Sequence, residues 1–161
     1  MEVRKQITLF LDHEEACAIE KARQFWNPDQ YALIKAHITL VRDDRVDNFA
    51  EVTRKVKQLK YARFQVNFGA IERFCEGKGA FIPVTDRLNH LVLLREKLSV
   101  KDQKYDPHIT IMHPRNSMCT DEIFNALLQE TFPSQITISS ISLIEQINGG
   151  KWRTTDHIRF K

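Results

Sequence analysis

The chain has 161 residues, of which 42% are hydrophobic and 28% charged, and its net charge is +3 at pH 7. This composition is typical of a soluble globular domain, and the mild basic excess suits a small phosphate ligand better than a long duplex. No apolar run reaches the ~20 residues of a membrane helix, residues 7–11 are too short for a signal peptide, and Cys17, Cys75 and Cys119 form no CxxC pair. We therefore expect a cytoplasmic protein, monomeric and not associated with a membrane.

The first half of the chain predicts alternating strands and helices. Residues 7–11 are apolar at nearly every position, which is typical of a central strand. Asp12 and Glu15 have the spacing of a helix capping box, and the helix that follows is expected to end at Asn27-Pro28. The later predicted elements are a loop over 27–36, a strand from His37 to Val41, a polar turn over 42–45, a helix capped by Asp47, a strand over 64–74 and a turn at Gly77-Lys78-Gly79.

The second half repeats this order. Its predicted elements are a strand over 80–84 that is irregular at Pro83, a helix from Asp86 with Leu88 buried, a loop over 101–107, a strand from His108, a helix capped by Thr120, a strand over 136–147 with a bulge at Ser139-Ser140, a turn over 148–150 and a strand over 152–160. The repetition predicts an α+β fold, one bilobal domain over 1–161 with halves 1–79 and 80–161. We expect two pseudo-symmetric mixed-sheet lobes with helices on the outside and a central groove.

One short motif occupies the same place in each half. His37-Ile38-Thr39-Leu40 and His108-Ile109-Thr110-Ile111 both consist of histidine, an apolar residue, threonine and an apolar residue. From the composition, fewer than about 0.1 such motifs are expected by chance. Because side chains alternate along a strand, the His and Thr of each copy are expected on one face and the apolar residues in the core.

Two imidazoles that face one ligand can act as an acid–base pair without a metal. One takes a proton from water and the other gives a proton to the leaving oxygen, while threonine hydroxyls donate to the non-bridging oxygens of a phosphate. The chain contains neither a G-x-S-x-G sequence for ester hydrolysis at carbon nor a P-loop. The pattern therefore indicates displacement at phosphorus in a diester, with His37, Thr39, His108 and Thr110 as the catalytic residues.

The doubled motif and the bilobal order resemble the 2H phosphoesterase superfamily, which includes 2′-5′ RNA ligase-like (LigT-like) proteins and cyclic nucleotide phosphodiesterases. The resemblance covers nearly the whole chain. It implies metal-independent and cofactor-free hydrolysis of 2′,3′-cyclic phosphates, at RNA 3′ ends or in small cyclic nucleotides, to a 2′-phosphate, or cleavage or joining of 2′-5′ linkages. It also implies His108 as the general base and His37 as the general acid. The alternative from another functional class is a non-catalytic module that binds nucleotides or RNA ends in the same groove.

Other residues are weaker candidates. Tyr105 is placed to stack on a base or bond a phosphate, and Arg115 to neutralise phosphate charge. Trp152 is expected to pack rather than bind a base. His113 lies five residues after His108 and is expected on the opposite face of the strand, so no metal site is predicted. Further weak candidates for ligand contacts are Tyr31, Lys35 and Lys151, and specificity is expected in the loops over 27–36 and 101–107 and the hairpins over 75–80 and 148–151.

Overall fold

The computed structural model describes residues 1–86, 90–101 and 104–161, which form nine strands and five α-helices. The strands are β1 (Val3–Phe10), β2 (His37–Arg42), β3 (Phe64–Asn67), β4 (Glu72–Phe74), β5 (Gly79–Pro83), β6 (His108–Met112), β7 (Gln135–Ile138), β8 (Ser140–Ile147) and β9 (Arg153–Arg159). The helices are α1 (His13–Trp26), α2 (Pro28–Leu33), α3 (Phe49–Lys57), α4 (His90–Lys97) and α5 (Asp121–Leu128). None of these helices is long and apolar enough to cross a membrane.

Seven strands form one sheet in the order β4-β5-β6-β2-β1-β8-β9, and β3 pairs with β7 in a second sheet. The paired strands run antiparallel. The order is symmetric about the β6–β2 pair, where Ile38 lies opposite Ile109, if β1 is matched with β5 and β8 with β4. The predicted α+β fold is confirmed, and the two lobes share one antiparallel sheet through their motif strands.

The apolar residues of the two motifs lie at the centre of the core. Ile38, Leu40 and Ile109 are completely buried, and Ile111 is 1% exposed. Helix α1 contacts β6 and α4 contacts β2, so each helix covers a motif strand of the other half. Burial of a side chain of this size stabilises the fold by about 1.5–3 kcal/mol, and a shift by one residue would expose it. The apolar residues thus fix which face carries the histidines.

The predicted capping box of α1 is wrong, although Asp12 does precede the helix. The Asp12 side chain makes no cap hydrogen bond and instead accepts one from Ser139 Oγ at 2.8 Å. Glu15 Oε2 accepts a hydrogen bond from the Thr137 backbone N–H at 3.0 Å. Both carboxylates therefore tie α1 to the segment around β7, a tertiary role that local spacing does not reveal.

The predicted loop over 27–36 and the predicted bulge at Ser139-Ser140 are also wrong, the first because of a short helix and the second because of long-range strand pairing. The predicted loop over 27–36 contains α2, which begins at Pro28, a position where the missing N–H costs nothing. The phase shift at Ser139-Ser140 marks a change of sheet and not a bulge, because β7 pairs with β3 whereas β8 pairs with β1.

One predicted helix cap is wrong, whereas another cap and the irregular strand end at Pro83 agree with the structure. The predicted cap at Asp47 is wrong: Asn48 caps α3, accepting a hydrogen bond from the Glu51 N–H at 3.1 Å. Thr120 caps α5 as predicted. Pro83 is the last residue of β5, which agrees with an irregular strand end.

The predicted helix from Asp86, with Leu88 buried, lies partly outside the described residues. Asp86 Oδ2 accepts a hydrogen bond from the Asn67 N–H at 3.1 Å, and α4 is described from His90 onward. Leu88 lies outside the described residues, as do 102–103 of the second predicted loop.

Candidate active site

Strands β2 and β6 place the His and Thr of both motifs in one cavity of about 420 Å³. The antiparallel pairing of Ile38 with Ile109 sets His37 opposite Thr110 and His108 opposite Thr39, on the face away from the core. All four side chains line the cavity. The fold therefore brings together the four residues that the sequence predicted to act together.

Each motif imidazole is held by a backbone carbonyl two residues earlier. His37 Nδ1 lies 2.7 Å from the Lys35 carbonyl oxygen, and His108 Nδ1 lies 2.7 Å from the Asp106 carbonyl oxygen. Because a carbonyl oxygen only accepts, Nδ1 of both rings must carry a proton. In the neutral ring Nε2 then keeps its lone pair, so the two half-sites have the same tautomer.

Aromatic rings pack against both imidazoles, and burial shifts the titration of one. The ring centroid of Phe10 lies 6.1 Å from that of His37, and Phe81 lies 5.4 Å from His108, both edge-on. Burial lowers the pKa of His37 to about 4, against the opposing effect of its backbone hydrogen bond, and the positive charges of Arg23 and His108 add to the lowering. His37 is therefore neutral at pH 7.

An ion pair fixes the segment that precedes His37. Arg23 Nη1 donates to Glu20 Oε1 at 2.7 Å, and Arg23 Nη2 donates to the Ile34 carbonyl at 2.8 Å. Glu20 Oε1 also accepts from the Ala36 N–H at 2.9 Å. The Arg23 side chain is 2% exposed and that of Glu20 is 21% exposed. The carbonyl that holds His37 Nδ1 lies between these two backbone contacts, so the pair positions the imidazole.

Thr39 is oriented from two sides. Gln6 Nε2 donates to Thr39 Oγ1 at 2.9 Å, so the hydroxyl hydrogen can point toward a ligand. The Tyr105 hydroxyl donates to the Thr39 carbonyl at 2.8 Å, and the Arg95 guanidinium lies 4.0 Å from the centroid of the Tyr105 ring. Burial also raises the pKa of Tyr105. Tyr105 lines the cavity as predicted, but its hydroxyl is already bonded within the fold.

A β-bulge in each motif strand turns one further residue toward the cavity. The pairing of β2 with β1 skips Leu40, and the pairing of β6 with β5 skips Ile111. Because one extra residue is inserted, the alternation shifts, and the fifth residue after each motif histidine faces the cavity. These residues are Arg42 and His113, and both line it.

The predicted opposite orientation of His113 is therefore wrong, and Arg42 does not belong to a solvated turn. The sequence carries a signal for this, since two consecutive apolar residues, Leu40-Val41 and Ile111-Met112, follow each threonine. Strict alternation allows only one apolar residue there.

His113 is a third imidazole in the cavity and has the opposite tautomer. The backbone N–H of Arg115 donates to His113 Nδ1 at 3.1 Å, so the neutral ring carries its hydrogen on Nε2. The His113 backbone N–H donates to Asn27 Oδ1 at 2.8 Å. Burial lowers the pKa of His113 to about 4, and the positive charges of Arg115 and Arg4 contribute. His113 therefore offers a neutral donor at pH 7.

The cavity is strongly basic, although the whole chain is only weakly so. Among the described residues, seven Lys or Arg side chains line it, against one acidic residue, Asp106. Of these basic residues, Arg115 was predicted from the sequence.

Other predicted residues line the cavity only in part. Trp152, which was expected to pack rather than bind a base, also belongs to the lining. The predicted loops over 27–36 and 101–107 contribute lining residues, whereas Tyr31, Lys35, Lys151 and the hairpin over 75–80 are not part of the lining found in the described chain. No group of three or more His, Cys, Asp or Glu within the described ranges is arranged to hold a metal.

Comparison with known proteins gives consistent matches. A family model described as the 2′-5′ RNA ligase superfamily matches residues 11–150. E. coli LigT complexed with 3′-AMP superposes with a TM-score of 0.70 at 14% identity, covering 100% of this chain and 99% of that chain. A structure described as a phosphoesterase superposes with a TM-score of 0.67 at 13% identity, covering 99% of each chain. No curated protein matches the chain in sequence. At these identities the structural matches show the fold alone.

Proposed function

The chain belongs to the 2′-5′ RNA ligase superfamily, and from this premise we propose that it is a metal-independent phosphodiesterase. Its proposed substrates are 2′,3′-cyclic phosphates at RNA 3′ ends or in small cyclic nucleotides, opened to a 2′-phosphate, or 2′-5′ linkages. The LigT-like fold supports an enzyme of the phosphodiesterase kind. His37, Thr39, His108 and Thr110 are the proposed catalytic residues.

The observation that carries the proposal is the matched pair of imidazoles in a basic cavity. Both rings have Nδ1 bonded to a carbonyl, which leaves Nε2 of His37 and of His108 as the atom available for proton transfer. The threonines opposite them supply hydroxyl donors for the non-bridging oxygens, on which negative charge builds up in the transition state. A module that only binds nucleotides has no need of two imidazoles fixed in the same tautomer.

We assign the general base to His37 and the general acid to His108, the reverse of the roles that the resemblance implies. His37 Nε2 takes a proton from the attacking water, whose oxygen bonds to phosphorus. The bond to the leaving oxygen breaks, and His108, which must begin this step doubly protonated, gives that oxygen the proton on its Nε2. The lowered pKa of His37 supports this assignment, because it favours the neutral ring in the unliganded protein, which is the form that a general base needs. Tyr105 and Arg115 are proposed to contact the substrate.

The decisive experiment is hydrolysis of a short RNA ending in a 2′,3′-cyclic phosphate, in the presence of EDTA. Wild type should turn it over, and His37→Ala and His108→Ala should each lose a factor of about 100 or more in kcat. His13→Ala is the matched control, because His13 is exposed at the start of α1 and is not part of the cavity lining. Binding without turnover by the folded wild-type protein would instead identify a binding module.

A 4-nitrophenyl phosphodiester tests the two roles, because its leaving group needs no proton. We expect His108→Ala to lose much less activity on this ester than on the RNA end, whereas His37→Ala loses a similar factor on both. The opposite result would restore the roles that the family resemblance implies.

A further inference from the structure

Among the described residues, six arginines line the cavity, and we call three of them, Arg4, Arg42 and Arg115, the arginine wall. Arg4 lies on β1, Arg42 ends β2 and Arg115 follows β6. Arg4 and Gln6 share one face of β1, and Gln6 lies opposite Arg42 in the ladder, so the first two arginines point to the same side. Arg115 lines the same cavity, and burial together with the positive charges of Arg4 and Arg42 lowers its pKa.

The arginine wall carries more positive charge than its protein contacts neutralise. Arg42 Nη2 pairs with Asp44 Oδ2 at 2.7 Å. Arg4 Nη1 donates instead to a neutral amide, Gln146 Oε1, at 3.5 Å, and its guanidinium lies 5.6 Å from the Trp152 ring centroid. Within the described chain, neither Arg4 nor Arg115 forms an ion pair with a carboxylate. Clustered like charges in a concave site favour an anionic ligand.

Arg42 is displaced along the sheet from the reacting histidines. His37 lies opposite Phe10 and Arg42 lies opposite Gln6, four residues of β1 apart. His108 faces Thr39 and is therefore level with Thr8, so about 7–13 Å of strand separate Arg42 from the two histidines. His113 lines the same cavity, and burial together with the positive charges of Arg115, Arg4 and His108 lowers its pKa. A separation of this size fits a second phosphate of the same ligand better than the phosphate held at the histidines.

We propose that Arg4, Arg42 and Arg115, with the Nε2–H of His113, form a subsite for a second phosphate group of the substrate, one that is not cleaved. The proposal rests on the proposed function and narrows its substrate class to nucleotides that carry a phosphate besides the reacting diester. That phosphate is either the 5′-terminal phosphate of a mononucleotide or an internucleotide phosphate of an RNA chain. The bidentate chemistry of arginine suits both.

The test compares three substrates that share the same 2′,3′-cyclic end: a nucleoside without a 5′-phosphate, the same nucleoside with one, and a dinucleotide. At low ionic strength we expect the second or third substrate to have a KM at least about 10-fold below that of the first, since a charge-assisted hydrogen bond contributes that much. A gain with the 5′-phosphate identifies the terminal source, and a gain with the dinucleotide alone identifies the internucleotide source. Equal KM values for all three would overturn the subsite.

Variants then test whether the arginine wall causes the lower KM of the substrates with a second phosphate. Arg4→Gln and Arg42→Gln should each reduce the KM advantage of the substrate with the second phosphate by about fivefold or more. Arg153→Gln is the control, because it makes the same change of net charge at an exposed residue of β9 that is not in the cavity lining. A preference that survives in both wall variants, or falls equally in the control, would refute the assignment.

Binding separates this proposal from the proposed function. If none of the three substrates is hydrolysed, the proposed hydrolysis of 2′,3′-cyclic phosphates fails, and calorimetry with a nucleoside 2′-monophosphate and the matching 2′,5′-bisphosphate still tests the subsite. The bisphosphate should bind at least about 10-fold tighter to wild type and lose this advantage in Arg4→Gln. Equal affinities for the two ligands would overturn the subsite without reference to catalysis.

Discussion

Glu20→Ala should both lower the stability of the protein and disturb the position of His37, because the Glu20 carboxylate contacts both Arg23 and the segment before His37. Its Oε1 accepts hydrogen bonds from the Arg23 guanidinium and from the Ala36 N–H. The substitution leaves Arg23, whose side chain is 2% exposed, without its counter-charge and leaves the Ala36 N–H without this acceptor. The carbonyl of Lys35, which fixes the tautomer of His37, lies in the segment that is released.

The expected loss of stability follows from the burial of the Arg23–Glu20 ion pair. Removing one partner of a buried ion pair costs about 3–5 kcal/mol, and the partial exposure of Glu20 places this case near the lower limit, at about 3 kcal/mol. For a chain of this length such a loss lowers Tm by about 6–12 °C. Removing both charges in Glu20→Ala/Arg23→Met should cost at least about 1 kcal/mol less than the sum of the single changes, since no uncompensated charge remains.

Urea unfolding of the four proteins in the cycle measures this coupling. Glu14→Ala, at an exposed position of the same helix, is the control and should change the free energy of unfolding by less than about 0.5 kcal/mol. The positive charge of Arg23 lowers the pKa of His37, so an NMR titration of Arg23→Met should show that pKa higher than in wild type. Additive costs, with an unchanged His37 titration, would refute the positioning role of the pair.

Two further predictions concern the same cavity. The folded-state pKa values of His37 and His113 are lowered to about 4 from 6.5, so their stabilisation is present above pH 6.5 and is lost as the pH falls toward 4. His37 alone should contribute a loss of up to about 3 kcal/mol, which urea unfolding at pH 7.5 and 4.5 detects as a weaker pH dependence in His37→Gln than in wild type or His13→Gln. Tyr105→Phe removes the hydroxyl bond to the Thr39 carbonyl and should cost about 1 kcal/mol, while kcat/KM falls less than tenfold. A larger loss of kcat/KM with unchanged stability would assign the hydroxyl to the substrate.

The sequence was most informative where a local pattern sufficed. The alternation of His37 to Leu40 and of His108 to Ile111 predicted two strands with polar and apolar faces, and burial of the apolar residues agrees with it. Prediction from the sequence failed where a residue distant in the chain decides the structure. Asp12 has the spacing of a cap, yet its carboxylate contacts Ser139 Oγ, 127 positions away in the chain.

The candidate site was only partly predictable for the same reason. Arg4 and Arg23 belong to segments far from either motif, and no spacing rule connects them to His37. Arg42 and His113 were misplaced because a β-bulge depends on how two strands pair, although the doubled apolar residues before each are a local trace of it.

By itself the sequence determined the duplicated order of elements, the two motif strands and the chemistry that four side chains can perform, because each depends on composition and local periodicity. The tertiary structure alone decided that β2 and β6 pair, since Ile38 and Ile109 meet across 71 residues of chain. It also decided that bulges turn Arg42 and His113 into the cavity. Strand pairing and register are long-range outcomes of core packing, and the same pairing concentrates the positive charge of a nearly balanced chain in one cavity.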